Sequence, residues 1–199
     1  MSTMARAMLR AGVKLKYSEG FNPHPYMSVA LPLQVGCASV CELMDFAAAD
    51  CLLPDGVPEL INAALPEGLE ILEAYIPERS FSEVRWIGIE GTLYFDTGET
   101  QHTTVLLANL FAAENLMIPK KTKRSMTEID IIACLRDISF KEGPEYGTIL
   151  MAAKVSAQNP AIGPANIISA LESGDKALCP DFASFTRTET YGGDMETFR

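Results

Sequence analysis

Apolar positions first recur at helical spacing. Met4, Met8 and Leu9 fall on one face and Arg6 and Arg10 on another, which predicts a helix over 4–11 with Gly12 as its stop. Residues 13–18 alternate briefly before the run Gly20-Phe21-Asn22-Pro23-His24-Pro25 breaks all regularity. Strands are predicted over 27–33 and 42–48, joined through a turn at Gln34-Val35-Gly36 into a hairpin. Pro54-Asp55-Gly56 turns the chain, a short helix with an early proline follows over 58–64, and a strand over 69–76 is closed by Pro77. Further on, the pattern predicts a strand over 84–95, a turn at Asp96-Thr97-Gly98 and a helix over 104–113. Strands over 117–122 and 128–140 come next, though 129–138 also fits a helix. A strand over 148–155, a helix from Gly163-Pro164 to Glu172, a strand over 185–191 and a polar tail expected to fray complete the chain.

This order predicts an α+β fold of two ferredoxin-like, βαββαβ-type halves with largely antiparallel sheets. Residues 1–79 make one half, which lacks its opening strand; residues 80–199 make the other, with one strand extra. A missing central strand would leave backbone groups without partners. The first half is therefore expected either to dimerise with a second copy or to hold an open groove.

Composition narrows the class. Hydrophobic residues make up 48% of the 199 positions and charged residues 21%, which excludes a disordered chain. No apolar run approaches the ~20 residues that span a bilayer, and charges stand where a secretory apolar region would be. A soluble, cytoplasmic protein with no membrane partner is expected.

The net charge of -10 is segregated. Arg6, Arg10, Lys14 and Lys16 stand against Glu19 at the start, residues 31–99 are strongly acidic, and Lys120, Lys121, Lys123 and Arg124 form a second basic cluster. An acidic chain is a poor non-specific binder of nucleic acid, but two basic patches on one face could meet RNA; otherwise both are solvated faces.

Five scattered cysteines, an odd number, do not read as a disulfide framework. Cys37-x-x-x-Cys41 resembles the start of a three-thiolate cluster loop, but Met44 holds the third position. With only His24 and His102 as imidazoles, neither at ligand spacing, no metal and no cofactor are expected.

The most specified stretch is Tyr17-Ser18-Glu19-Gly20-Phe21-Asn22-Pro23-His24-Pro25. Its prolines fix φ on both sides of His24 and hold Asn22 and His24 extended, while Gly20 permits positive φ. The imidazole thus leaves a stiff loop in a defined direction, which suits either proton transfer or a hydrogen bond that pins the loop.

Arg10-Ala11-Gly12, that loop, Leu31-Pro32-Leu33, Gly36 and Glu42-x-x-Asp45 together resemble a radical SAM-associated family, domain of unknown function 2344. The likeness continues through Leu65-Pro66-Glu67-Gly68, a lysine-rich hairpin ending in Ile129-Asp130-Ile131, and a terminal Arg187-Thr188 strand; Glu19 replaces a glutamine of the family pattern. Family members begin with a strand and a Ser-His-Leu-Asp segment before the Arg-rich helix, inside which this chain starts.

The resemblance implies a radical SAM protein as partner rather than a reaction. Three functions follow. The first is an accessory or substrate-binding module presenting RNA or a ribosome-associated target, with Tyr17, Ser18, Gly20, Phe21, Asn22, Arg6, Arg10, Lys121, Lys123 and Arg124 as binding residues. The second is a small acid–base enzyme in which Asp45 or Glu42 orients His24 as the catalytic group. The third is a structural docking domain.

Overall fold

The structure is a computed structural model that describes residues 2–50, 52–121 and 125–199. The fold is α+β, with antiparallel and mixed sheets. It divides into two compact units. One comprises Met1–Pro32, Glu42–Phe81 and Arg199; the other comprises Leu33–Cys41 and Ser82–Phe198.

In the first unit, α1 (Ser2–Arg10) buries Ala7 and Met8 and leaves its arginines in solvent. Its end is set by Gly12, at φ 77°: the Gly12 N–H bonds the Leu9 carbonyl at 3.1 Å and the Val13 N–H bonds the Met8 carbonyl at 2.9 Å. This is the paired closure that a left-handed residue permits, and it brings Val13 beside Met8 in the core. The two predicted strands pair, shortened, as β1 (Met27–Val29) and β3 (Met44–Phe46), antiparallel, with Ser28 opposite Asp45. The hairpin connection is corrected, because the turn before Cys37 leads into a strand of the second unit's sheet and not back to β3. Met27, Met44 and Phe46 pack on the cluster of Ala7, Met8, Val13, Leu15, Val57 and Ile61, the last two from α2 (Val57–Asn62).

The strand expected over 69–76 is corrected. That segment has no turn, bend or helix, but it joins no ladder. Ile71 bonds a side chain instead: its N–H donates to Asn62 Oδ1 at 2.7 Å, and its carbonyl accepts from Asn62 Nδ2 at 2.9 Å.

In the second unit, a five-stranded sheet runs in the order β2-β9-β4-β8-β7. β4 (Trp86–Tyr94), β7 (Leu135–Glu142), β8 (Thr148–Ser156) and β9 (Phe182–Tyr191) are mutually antiparallel neighbours. β2 (Cys37–Ser39) adds to β9 in parallel. Period-two burial is clear: Ile149, Met151, Ala153 and Val155 of β8, with Ile87, Ile89 and Leu93 of β4, point into the core. Gly91 is required because a Cβ there would lie 2.7 Å from the Phe185 ring.

Helices α3 (Thr100–Phe111) and α4 (Pro164–Gly174) cover the sheet and a hairpin of β5 (Met117–Lys121) and β6 (Met126–Asp130). Residues 129–138, which also fit a helix, form strand, one short turn of helix and strand instead. The tail expected to fray does not. Thr197 pairs with Tyr191, the Phe198 N–H bonds the Thr190 carbonyl at 2.8 Å, and the Phe198 ring is 2% exposed. A single aromatic supplies enough apolar area to anchor the segment.

Candidate functional site

The 17–26 loop stands on a small lattice of main-chain bonds in the first unit. The Ala49 N–H bonds the Lys14 carbonyl at 2.7 Å, and the Lys16 N–H bonds the Ala47 carbonyl at 2.8 Å. On the other side, the Tyr26 N–H reaches the Lys16 carbonyl and the Ser18 N–H the His24 carbonyl, both at 2.9 Å. Tyr17 and Pro25 therefore face each other across the loop's base. The loop is tied to the end of β3: the Ala47 N–H bonds the Tyr26 carbonyl at 3.0 Å.

A side chain closes the loop. Ser18 Oγ accepts the His24 main-chain N–H at 3.1 Å and lies 2.9 Å from His24 Nδ1. A serine hydroxyl has one donor and two acceptor lone pairs, so it takes the N–H and pairs with Nδ1 as donor or acceptor according to the ring's tautomer. Gly20, at φ 119°, makes the reversal; a Cβ would meet nothing within 4 Å, so glycine is needed for conformation rather than for space.

The tip beyond this pin is open, with Phe21 fully exposed, and at the base Tyr17 and Tyr26 are about half exposed. Asn22 and His24 are exposed as well. Tyr26 went unremarked in the sequence, although an aromatic directly after the second proline is its signal.

Ser18 Oγ is the side-chain atom hydrogen-bonded to the His24 ring. Asp45 lies opposite Ser28 in the β1–β3 ladder, half-buried, and burial raises its carboxyl above the usual range. Glu42 is exposed.

Of the basic residues, Arg6 is exposed on α1, and Arg10 caps the chain after α2 by donating to the Ala64 carbonyl at 2.6 Å. Lys121 ends β5, opposite Met126, and Lys123 and Arg124 lie outside the described residues. The neighbouring Lys120 reaches the Ala161 carbonyl, and burial lowers its ammonium pKa. Of the described cysteines, Cys134 is buried, Cys37, Cys41 and Cys179 are half-buried, and burial pushes the thiols of Cys134 and Cys179 up. Among the described residues no helix is long and apolar enough to cross a membrane.

A family model described as "Uncharacterized protein conserved in bacteria (DUF2344)" matches residues 1–164. No curated protein and no solved structure matches the chain.

Proposed function

The chain belongs to that uncharacterised bacterial family, and on this premise we propose that it is a binding module whose contact element is the 17–26 loop. The observation that carries the reading is Phe21. A phenyl ring left wholly in water contributes nothing to the fold, yet it sits on a loop fixed by main-chain bonds and by the Ser18–His24 pair. Holding an aromatic contact in advance removes part of the ordering cost of binding, and aromatic residues are the usual anchors of interfaces.

In this reading the module acts in the cytoplasm as an accessory to a radical SAM protein. The likeness of the Tyr17 to Pro25 run supports that partner. RNA is the target class: Tyr17, Phe21 and Tyr26 offer stacking surfaces, with Arg6, Arg10 and Lys16 on the same unit to neutralise phosphate. The second unit reads as ferredoxin-like. Its strands β4, β7, β8 and β9, with α3 and α4 as crossovers, lie side by side in the order fourth, first, third, second, which supports that assignment.

Capture from bacterial extract tests this, using the tagged chain and its Phe21→Ala variant. A radical SAM protein and RNA recovered with the parent and lost with Phe21→Ala is the expected result. Equal recovery by the two, or recovery of neither, refutes the loop as contact element.

A further inference from the structure

We infer that the outer face of the second unit's sheet stacks the bases of a single-stranded nucleic acid, at a site that shares its ligand class with the 17–26 loop and uses none of its residues. Burial separates the two faces of the sheet. Ile89, Leu93, Met151 and Phe185 point into the core, and on that side Phe140 of β7 meets Phe111 of α3 with ring centroids 5.5 Å apart. The alternate residues carry the other face, where Glu90, Ser139, Leu150 and Phe182 are exposed.

Aromatic pairs stand at both ends of this outer face. Trp86 of β4 lies opposite Tyr191 of β9, and Tyr94 lies opposite Phe182, with the latter rings 5.5 Å apart. Trp86 and Tyr94 belong to one unbroken register with β8, so they share a face and stand about 26 Å apart along the strand. The bulge beside Gly88 and Ile89 keeps Tyr191 in phase with Phe182. Gly88 leaves room for the Tyr191 ring, which a Cβ there would approach to 3.4 Å.

The floor between the pairs is short and polar, with Thr92 opposite Ser184 and Glu90 between Thr186 and Ala152. The centre of a protein interface is apolar; rings at the ends and hydroxyls between them suit a strand of bases instead. Charge agrees. On the β7–β8 side the Arg136 guanidinium lies 4.7 Å from the centre of the Trp86 ring and Lys154 Nζ 5.1 Å from that of Tyr191. Exposed Lys141 stands opposite Leu150. These cations border the rings where phosphates would run. Of the neighbouring acids, Asp137 pairs with Lys154 at 2.8 Å and Glu189 accepts the Thr190 N–H at 2.9 Å. Glu90 is exposed midway, and a carboxylate accepts from the amino group of cytosine, which uracil lacks.

Trp86 is the chain's one tryptophan, so its emission reports this face directly. Titrating the full chain at low salt with oligocytidine, as RNA and as DNA, should quench that emission, and the sugar bound more tightly identifies the strand. Phe182 is 63% exposed, so Phe182→Ala spares both the core and the reporter; it should weaken binding at least about fivefold. Lys141→Glu should also weaken binding and flatten its salt dependence. Oligouridine should bind less tightly than oligocytidine, and Glu90→Ala should remove the difference. Phe21→Ala should quench as the parent does, which separates this face from the loop. No quenching, equal quenching by a duplex, or a Phe182→Ala titration that matches the parent overturns the inference. So does RNA binding that leaves Trp86 unquenched and is lost with Phe21→Ala, which would place the site on the loop.

Discussion

Replacing Ser18 by alanine removes one oxygen and, with it, both side-chain bonds that close the 17–26 loop: the His24 N–H at 3.1 Å and His24 Nδ1 at 2.9 Å. A typical intramolecular hydrogen bond is worth about 0.5–1.5 kcal/mol net. At this solvent-exposed site the freed groups are rehydrated, so the pair together should contribute about 1 kcal/mol, or about a fivefold rise in the population of the opened tip. The base survives, because the Ser18 N–H to His24 carbonyl and Tyr26 N–H to Lys16 carbonyl bonds do not involve the lost hydroxyl. Ser18→Ala should therefore accelerate exchange of the His24 amide about fivefold while leaving global unfolding almost unmoved. In ¹⁵N spectra of the ring, the parent should show one dominant tautomer and the variant a mixture, with Ser18→Thr restoring the parent pattern. Unchanged His24 exchange together with an unchanged ring spectrum would show that the hydroxyl holds nothing.

Gly12→Ala should destabilise the first unit by about 1–2 kcal/mol in urea or thermal unfolding; a Cβ there meets nothing within 4 Å, so the cost is that of φ 77° alone. Phe198→Ala should cost about 3–5 kcal/mol, because the ring is 2% exposed; a loss below about 1 kcal/mol would mean that the tail is not part of the core. Burial raises the Asp45 carboxyl, so the folded chain keeps that proton to a higher pH than the unfolded one. The stability at this position is thus full below the unfolded carboxyl's pKa and is lost as pH climbs through the folded one. Asp45→Asn should match the parent near about pH 3 and exceed it at about pH 7 in denaturant titrations.

Elements with enough periods to state their face were legible. β8 alternates over its whole length, and α1 shows its apolar stripe and its glycine stop. Three features left no comparable trace. β2 is three residues long, half-exposed, and pairs with a strand that lies far along the chain, so neither alternation nor a turn announces it. Residues 69–76 have the composition of a strand, but a strand also needs a neighbour, and here an asparagine side chain occupies that place for one residue. Phe198 is one aromatic in a polar run; its burial follows from the surface it meets. The loop was conspicuous through its prolines and glycine. The contact that organises it joins Ser18 to His24, side chains that no periodic pattern relates.

That contact bears on which chemistry the loop supports. A general base needs an accessible ring nitrogen with a free lone pair, within hydrogen-bond reach of the proton it takes. In the tautomer in which Nδ1 accepts from the Ser18 hydroxyl, the lone pair of the neutral ring is spent inside the loop and the other nitrogen is a donor. Ser18 is also no substitute for a carboxylate, since it cannot stabilise the imidazolium that proton abstraction would create. An imidazole fixed in direction on the loop that carries an open phenyl ring is suited to orienting a bound surface, for which the phenyl supplies contact area. The residues that make the loop conspicuous are thereby used for holding and presenting.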